Sequence, residues 1–94
     1  MKGVVFVVVQ FEKGEIRRLE WSVCAEESTI VITGTNWKLI NKDNLTMVDE
    51  GACEIDGRKL TAIVSFPQTG RYDVEITATI PPEIVIERLS VTVV

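Results

Sequence analysis

Gly70-Arg71-Tyr72-Asp73-Val74-Glu75-Ile76-Thr77-Ala78-Thr79-Ile80 alternates apolar and polar side chains from end to end. Tyr72, Val74, Ile76, Ala78 and Ile80 fall on one side of an extended chain, and Arg71, Asp73, Glu75, Thr77 and Thr79 on the other. A period of two with one apolar side is the mark of a half-buried β-strand. Leu60, Ala62, Val64 and Phe66 repeat the pattern against Lys59, Thr61 and Ser65, with Ile63 as the exception on the polar side. No window carries a sustained helical stripe, which predicts an all-β chain with almost no helix.

Turn signals punctuate these strands at intervals of roughly ten residues, the spacing of an antiparallel sandwich. They are Lys13-Gly14, Asn41-Lys42-Asp43-Asn44, Asp56-Gly57, Thr69-Gly70 and Pro81-Pro82. Asp56-Gly57 is the strongest hairpin signal, because both residues tolerate positive φ. The predicted architecture is an immunoglobulin-like antiparallel β-sandwich of about seven or eight strands, in one domain over residues 1–94. Trp37 belongs on a central strand, filling the core. Tyr72, just after Gly70, resembles a tyrosine corner, although Gln68 stands where an acid is usual and Val74 where antibody domains have cysteine. Two parity slips predict irregularities: Ile30 and Ile32 against Trp37 and Leu39, with a bulge near Gly34, and Ile84 and Ile86 against Leu89, Val91 and Val93, with a second bulge or a bend at Glu87-Arg88.

Composition bounds the function classes. Apolar residues make up 46% of the 94, far from a disordered chain. Fourteen acids against ten bases leave a net charge of −4, and the basic doublet Arg17-Arg18 is flanked by Glu15 and Glu20. Neither a nucleic-acid nor an anionic membrane surface is expected from that balance. No run approaches the ~20 apolar residues of a membrane helix, and the apolar start lacks a small-residue cleavage site, so no secretory leader is expected. Histidine is absent, which removes the commonest general base and metal ligand and every Ser-His or Cys-His nucleophile within the chain.

The remaining chemical candidates are weak. Glu26-Glu27, Asp49-Glu50 and Glu54 with Asp56 are acidic, but their spacing is not that of a calcium loop, and they read as solvated turn residues. Cys24 and Cys53 lack a Cys-x-x-Cys spacing or cationic neighbours and read as buried free thiols of a reducing compartment, with a bridge between them as the alternative. Trp21 and Trp37 sit inside strand patterns and read as core. No enzyme, cofactor or metal is expected.

One run is left over. Val4-Val5-Phe6-Val7-Val8-Val9 is apolar at odd and even positions alike and therefore needs cover on both faces. In so short a chain, the second cover is expected from another molecule. The expected protein interface is Val5, Val7 and Val9 on one face, with Phe11, while Val4, Phe6 and Val8 face the domain's own core. The apolar end Leu89-Ser90-Val91-Thr92-Val93-Val94 adds a second exposed hazard that a partner would protect. The chain thus reads as a non-enzymatic assembly protein. The alternative is a small ligand-binding sandwich that recognises a glycan or peptide through Asn41, Asp43, Asn44 and Glu50.

Residues 29–94 resemble a group of small immunoglobulin-like structural proteins of tailed phages, including fibre-tail adaptors. The resemblance rests on Ile30 ahead of Trp37, the Gly57 hairpin, Thr69-Gly70-Arg71-Tyr72-Asp73-Val74-Glu75-Ile76, and Ile86-Glu87-Arg88-Leu89-Ser90-Val91-Thr92-Val93. Pro81-Pro82-Glu83 stands where that group carries a glycine-containing tip. The resemblance implies a virion component of the tail, neck or capsid surface, assembled in the host cytoplasm. Its partners would be other virion structural proteins or copies of itself in a symmetric, oligomeric assembly.

Overall fold

A computed structural model describes residues 8–23 and 31–94. They form β1 (Val8–Phe11), β2 (Ile16–Ser22), β3 (Gly34–Asn41), β4 (Thr46–Gly51), β5 (Glu54–Asp56), β6 (Lys59–Ser65), β7 (Gly70–Ile80) and β8 (Glu83–Val93). Five strands make one sheet in the order β1-β8-β7-β3-β4, and three make the other in the order β2-β6-β5. This is the expected all-β, immunoglobulin-like sandwich. Every pairing is antiparallel except one: β1 runs parallel to β8.

The core lies where the alternating faces meet. Trp37 and Leu39 of β3, Val74, Ile76 and Ala78 of β7, and Val91 and Val93 of β8 are buried against Leu60, Ala62 and Val64 of β6 and the adjacent Phe66. Phe66 packs its ring 5.1 Å from Phe11 and 6.5 Å from Tyr72, both in tilted or edge-on geometry that suits aromatic quadrupoles. Burying each such large side chain contributes about 1.5–3 kcal/mol.

Tyr72 does form the corner its position suggests. Its hydroxyl donates to the Gln68 carbonyl at 3.2 Å, with the Thr69 carbonyl at 3.5 Å. The acceptors are backbone oxygens, so a glutamine at position 68 serves as well as an acid. Gly70 turns the chain into β7 with φ of 143°, a conformation L side chains rarely adopt.

Both expected bulges are absent, and the ladder explains why. β3 pairs with β7 without interruption from Gly34 opposite Thr79 to Asn41 opposite Tyr72. Ile32 precedes the strand, so its parity imposes nothing on Trp37. The shift that does occur is on the other side of β3. Leu39 faces Asp49 and Ile40 faces Met47, leaving Val48 as the extra residue of edge strand β4. β7 and β8 stay in register over eleven pairs, from Gly70 opposite Val93 to Ile80 opposite Glu83. The Asp56-Gly57 signal marks the right hairpin one residue early: Asp56 ends β5, and Gly57, with φ of 59°, opens the two-residue turn to Lys59.

Candidate interaction surface

An unbroken β7–β8 ladder decides where the isoleucines of β8 go. Directly opposed residues of an antiparallel pair share a face. Val91 opposite Tyr72 and Leu89 opposite Val74 point into the sandwich, so Ile86 opposite Thr77 and Ile84 opposite Thr79 point out of it. Ile84 is 67% exposed and Ile86 50%. Sequence reasoning missed this pair because it explained the parity change by a bulge. An outward apolar face is the other solution to the same parity change.

The outer face of the five-stranded sheet is therefore divided. Towards the Gly70 end it carries charges held across strands: Arg88 Nε donates to Glu75 Oε2 at 3.0 Å, Ser90 Oγ donates to Asp73 Oδ1 at 3.0 Å, and Lys42 lies 3.7 Å from Asp73. Towards the Pro81-Pro82 tip it carries Ile84 and Ile86 with the methyl-bearing Thr77 and Thr79. β1 pairs with β8 only over residues 90–93, and among the described residues positions 83–89 pair with β7 alone.

A second apolar margin lies on β4, where Met47 is 52% exposed and Val48, the bulge residue, 46%. Leu45, at the turn before them, is 81% exposed with φ of 57°. On the three-stranded sheet, Ile63 and Ile16 point outward, opposite Arg18 and Ser65 respectively.

The interface residues expected from the sequence fall into two groups. Val5 and Val7 lie outside the described residues. Val9 and Phe11 are described, and they correct the face assignment. Val9 packs against the core and Phe11 is only 5% exposed within it, with the Arg17 guanidinium 4.6 Å above its ring. The reason is the parallel pairing: Val9 lies opposite Val91 and Phe11 opposite Val93, and each shares its partner's inward face.

The loop residues of the alternative reading do not converge. Asn41 Oδ1 accepts from the Asp43 amide at 2.8 Å, Asn44 Oδ1 accepts from the Thr46 amide at 3.1 Å and from its hydroxyl, and Asp43 holds Arg71 at 2.7 Å. Those oxygens maintain the β3–β4 turn. Glu50 lies towards the far end of β4, opposite Lys38. A shallow cleft of about 290 Å³ lies at the sandwich margin between Trp37, Gly51, Glu54 and Ile63, and Glu54 is its only charged lining residue. Among the described residues no group of three or more His, Cys, Asp or Glu could hold a metal ion.

Cys53 is buried and free, and Cys24 lies outside the described residues. Burial pushes the Cys53 thiol above its ordinary pKa, partly offset by a hydrogen bond with Thr35. The Thr35 hydroxyl also ties β3 to the connection between β4 and β5: it accepts from the Cys53 amide at 3.1 Å and donates to the Cys53 carbonyl at 3.2 Å.

Comparison with known proteins adds to the fold. No protein-family model and no curated protein matches the sequence. Among solved structures, the chain is similar to CopC from Methylosinus trichosporium OB3b, with a TM-score of 0.66 over 90% of this chain and 81% of that one. At 15% identity the likeness is one of framework.

Proposed function

We propose that this protein is a non-enzymatic assembly module that joins a larger structure through the outer face of distal β8. One observation carries the reading: an uninterrupted ladder holds Ile84 and Ile86 on the outside of the sheet, where both are at least half exposed. Docking there would bury the apolar area that the two isoleucines leave exposed. The partners are copies of this chain or other structural proteins. The resemblance to small structural proteins of tailed phages makes a virion, at the tail, neck or capsid surface, the particle proposed. Recognition of a glycan or peptide by the β3–β4 loop has less support, because that loop's oxygens are occupied by its own turn.

The test is an Ile84→Lys/Ile86→Lys double variant, followed by mass measurement and imaging of co-purifying particles. Both side chains face solvent, so the variant is expected to melt close to the native protein and to be lost from the assembly. Undiminished assembly in that variant would overturn the reading.

A further inference from the structure

We propose that the partner on the isoleucine face is a second copy of this chain, docked outer face to outer face about a two-fold axis that runs along the strands, midway between β7 and β8. The inference deepens the assembly reading and rests on it for the use of that face. An isologous interface needs a patch that complements itself. The outward rows of the β7–β8 ladder form such a patch: Ile84 lies beside Thr79, Ile86 beside Thr77, Arg88 beside Glu75 and Ser90 beside Asp73. An axis parallel to the strands sets each residue over the copy of its own cross-strand neighbour. Pairs that suit one another within the sheet then suit one another between sheets.

Charge selects this arrangement. Arg88 of one copy meets Glu75 of the other, and Ser90 meets Asp73, the same pairs that bond at 3.0 Å within the chain. No like charges face each other in those rows, and the exposed isoleucines of both copies close over threonine methyls. An axis across the strands at the middle of the ladder would instead set Arg88 on Arg88 and Glu75 on Glu75. Apolar burial supplies the attraction, and the charged row fixes which residues face, as electrostatic complementarity gives specificity more than affinity.

Mass measurement on the purified chain tests the inference. The native chain is expected to be a dimer, and the Ile84→Lys/Ile86→Lys variant a monomer. Arg88→Glu and Glu75→Lys each bring like charges face to face between copies, twice over by symmetry. At low ionic strength each alone is expected to self-associate at least about tenfold more weakly than the native chain. Their equimolar mixture is expected to recover, because each variant then meets opposite charges on the other. Native-like association of either alone, or a mixture no stronger than the separate variants, would overturn the proposal. Glu75 is the more covered of the two, with 16% side-chain exposure against 61% for Arg88, so melting curves check that its variant is folded. Spin labels add an arm free of charge changes, in a Cys24→Ala/Cys53→Ala background. From strand and sheet spacings, labels at Thr92→Cys are expected on the order of 10 Å apart between copies, and labels at Met47→Cys, three strands from β8, more than about 20 Å apart. The reverse order would overturn the arrangement. A native chain still monomeric at about 1 mM overturns the inference. The assembly reading then survives if the lysine double variant is nonetheless lost from particles, and falls with it if that variant assembles undiminished.

Discussion

At Trp37 and Gly51 a single missing carbon matters. A Cβ on Gly51 would lie 2.9 Å from the indole Nε1 and 3.0 Å from two ring carbons, and the indole is itself buried. Gly51→Ala is expected to destabilise the fold by about 1–3 kcal/mol, the usual cost of overpacking. Gly34→Ala meets only the Thr79 hydroxyl, at 3.9 Å, and is expected to be close to neutral. Urea denaturation of the two variants checks the contrast. Tyr72→Phe removes a hydroxyl bonded to Gln68 and Thr69 and is expected to cost about 1–2 kcal/mol without altering assembly. Cys53 supplies a pH dependence whose sign follows from its burial. Its folded pKa is raised, so the unfolded chain releases the thiol proton first, and stability falls as pH climbs past the ordinary range of a free thiol. Thermal melts of Cys53→Ala across the alkaline range are expected to lose that component of the decline.

Among the elements, β8 carries two faces with different duties. Val91 and Val93 are within 2% of full burial, whereas Ile84 and Ile86, on the same strand, are at least half exposed. A charge at Ile84 or Ile86 is therefore expected to change stability by less than about 0.5 kcal/mol. Leu39→Ala, at a site 1% exposed on β3 of the same sheet, is expected to cost about 2–5 kcal/mol. Chemical denaturation of Ile86→Lys beside Leu39→Ala reads the difference directly. The elements also show why parity reasoning succeeded on β7 and misplaced the isoleucines of β8. On β7 every apolar residue falls on one face, and only one covering is possible. On β8 apolar residues occupy both faces, and either a bulge or an exposed patch accommodates them. The eleven unbroken pairs with β7 chose the patch. Val48 was illegible for a related reason: a bulge on an edge strand is set by pairing with β3, and Thr46-Met47-Val48-Asp49 does not alternate cleanly enough to announce it.

For the whole molecule, the described residues span 41 × 26 × 19 Å, elongated because β7 and β8 each run eleven residues. The charged rows of the outer sheet face are tied to one another across strands, and the net charge is only −4. Association through the isoleucine end is thus expected to persist in about 1 M sodium chloride, where exposed ion pairs are screened, and to strengthen with sulfate, which favours apolar burial. Light scattering across a salt series tests this, and dissociation by sodium chloride alone would point to a charged interface instead.

Local periodicity in the sequence was enough for the all-β class, the turn positions, and the burial of Trp37, Leu60, Val64, Phe66, Tyr72 and Val74. Each of those follows from alternation within a few residues, a property that a strand carries wherever it is placed. Tertiary structure alone decided that Val9 and Phe11 turn inward and Ile84 and Ile86 outward. Alternation distinguishes two faces of a strand without saying which one is covered. For Val9 and Phe11 that choice was made by the parallel pairing of β1 with β8, and for Ile84 and Ile86 by the unbroken ladder of β8 with β7.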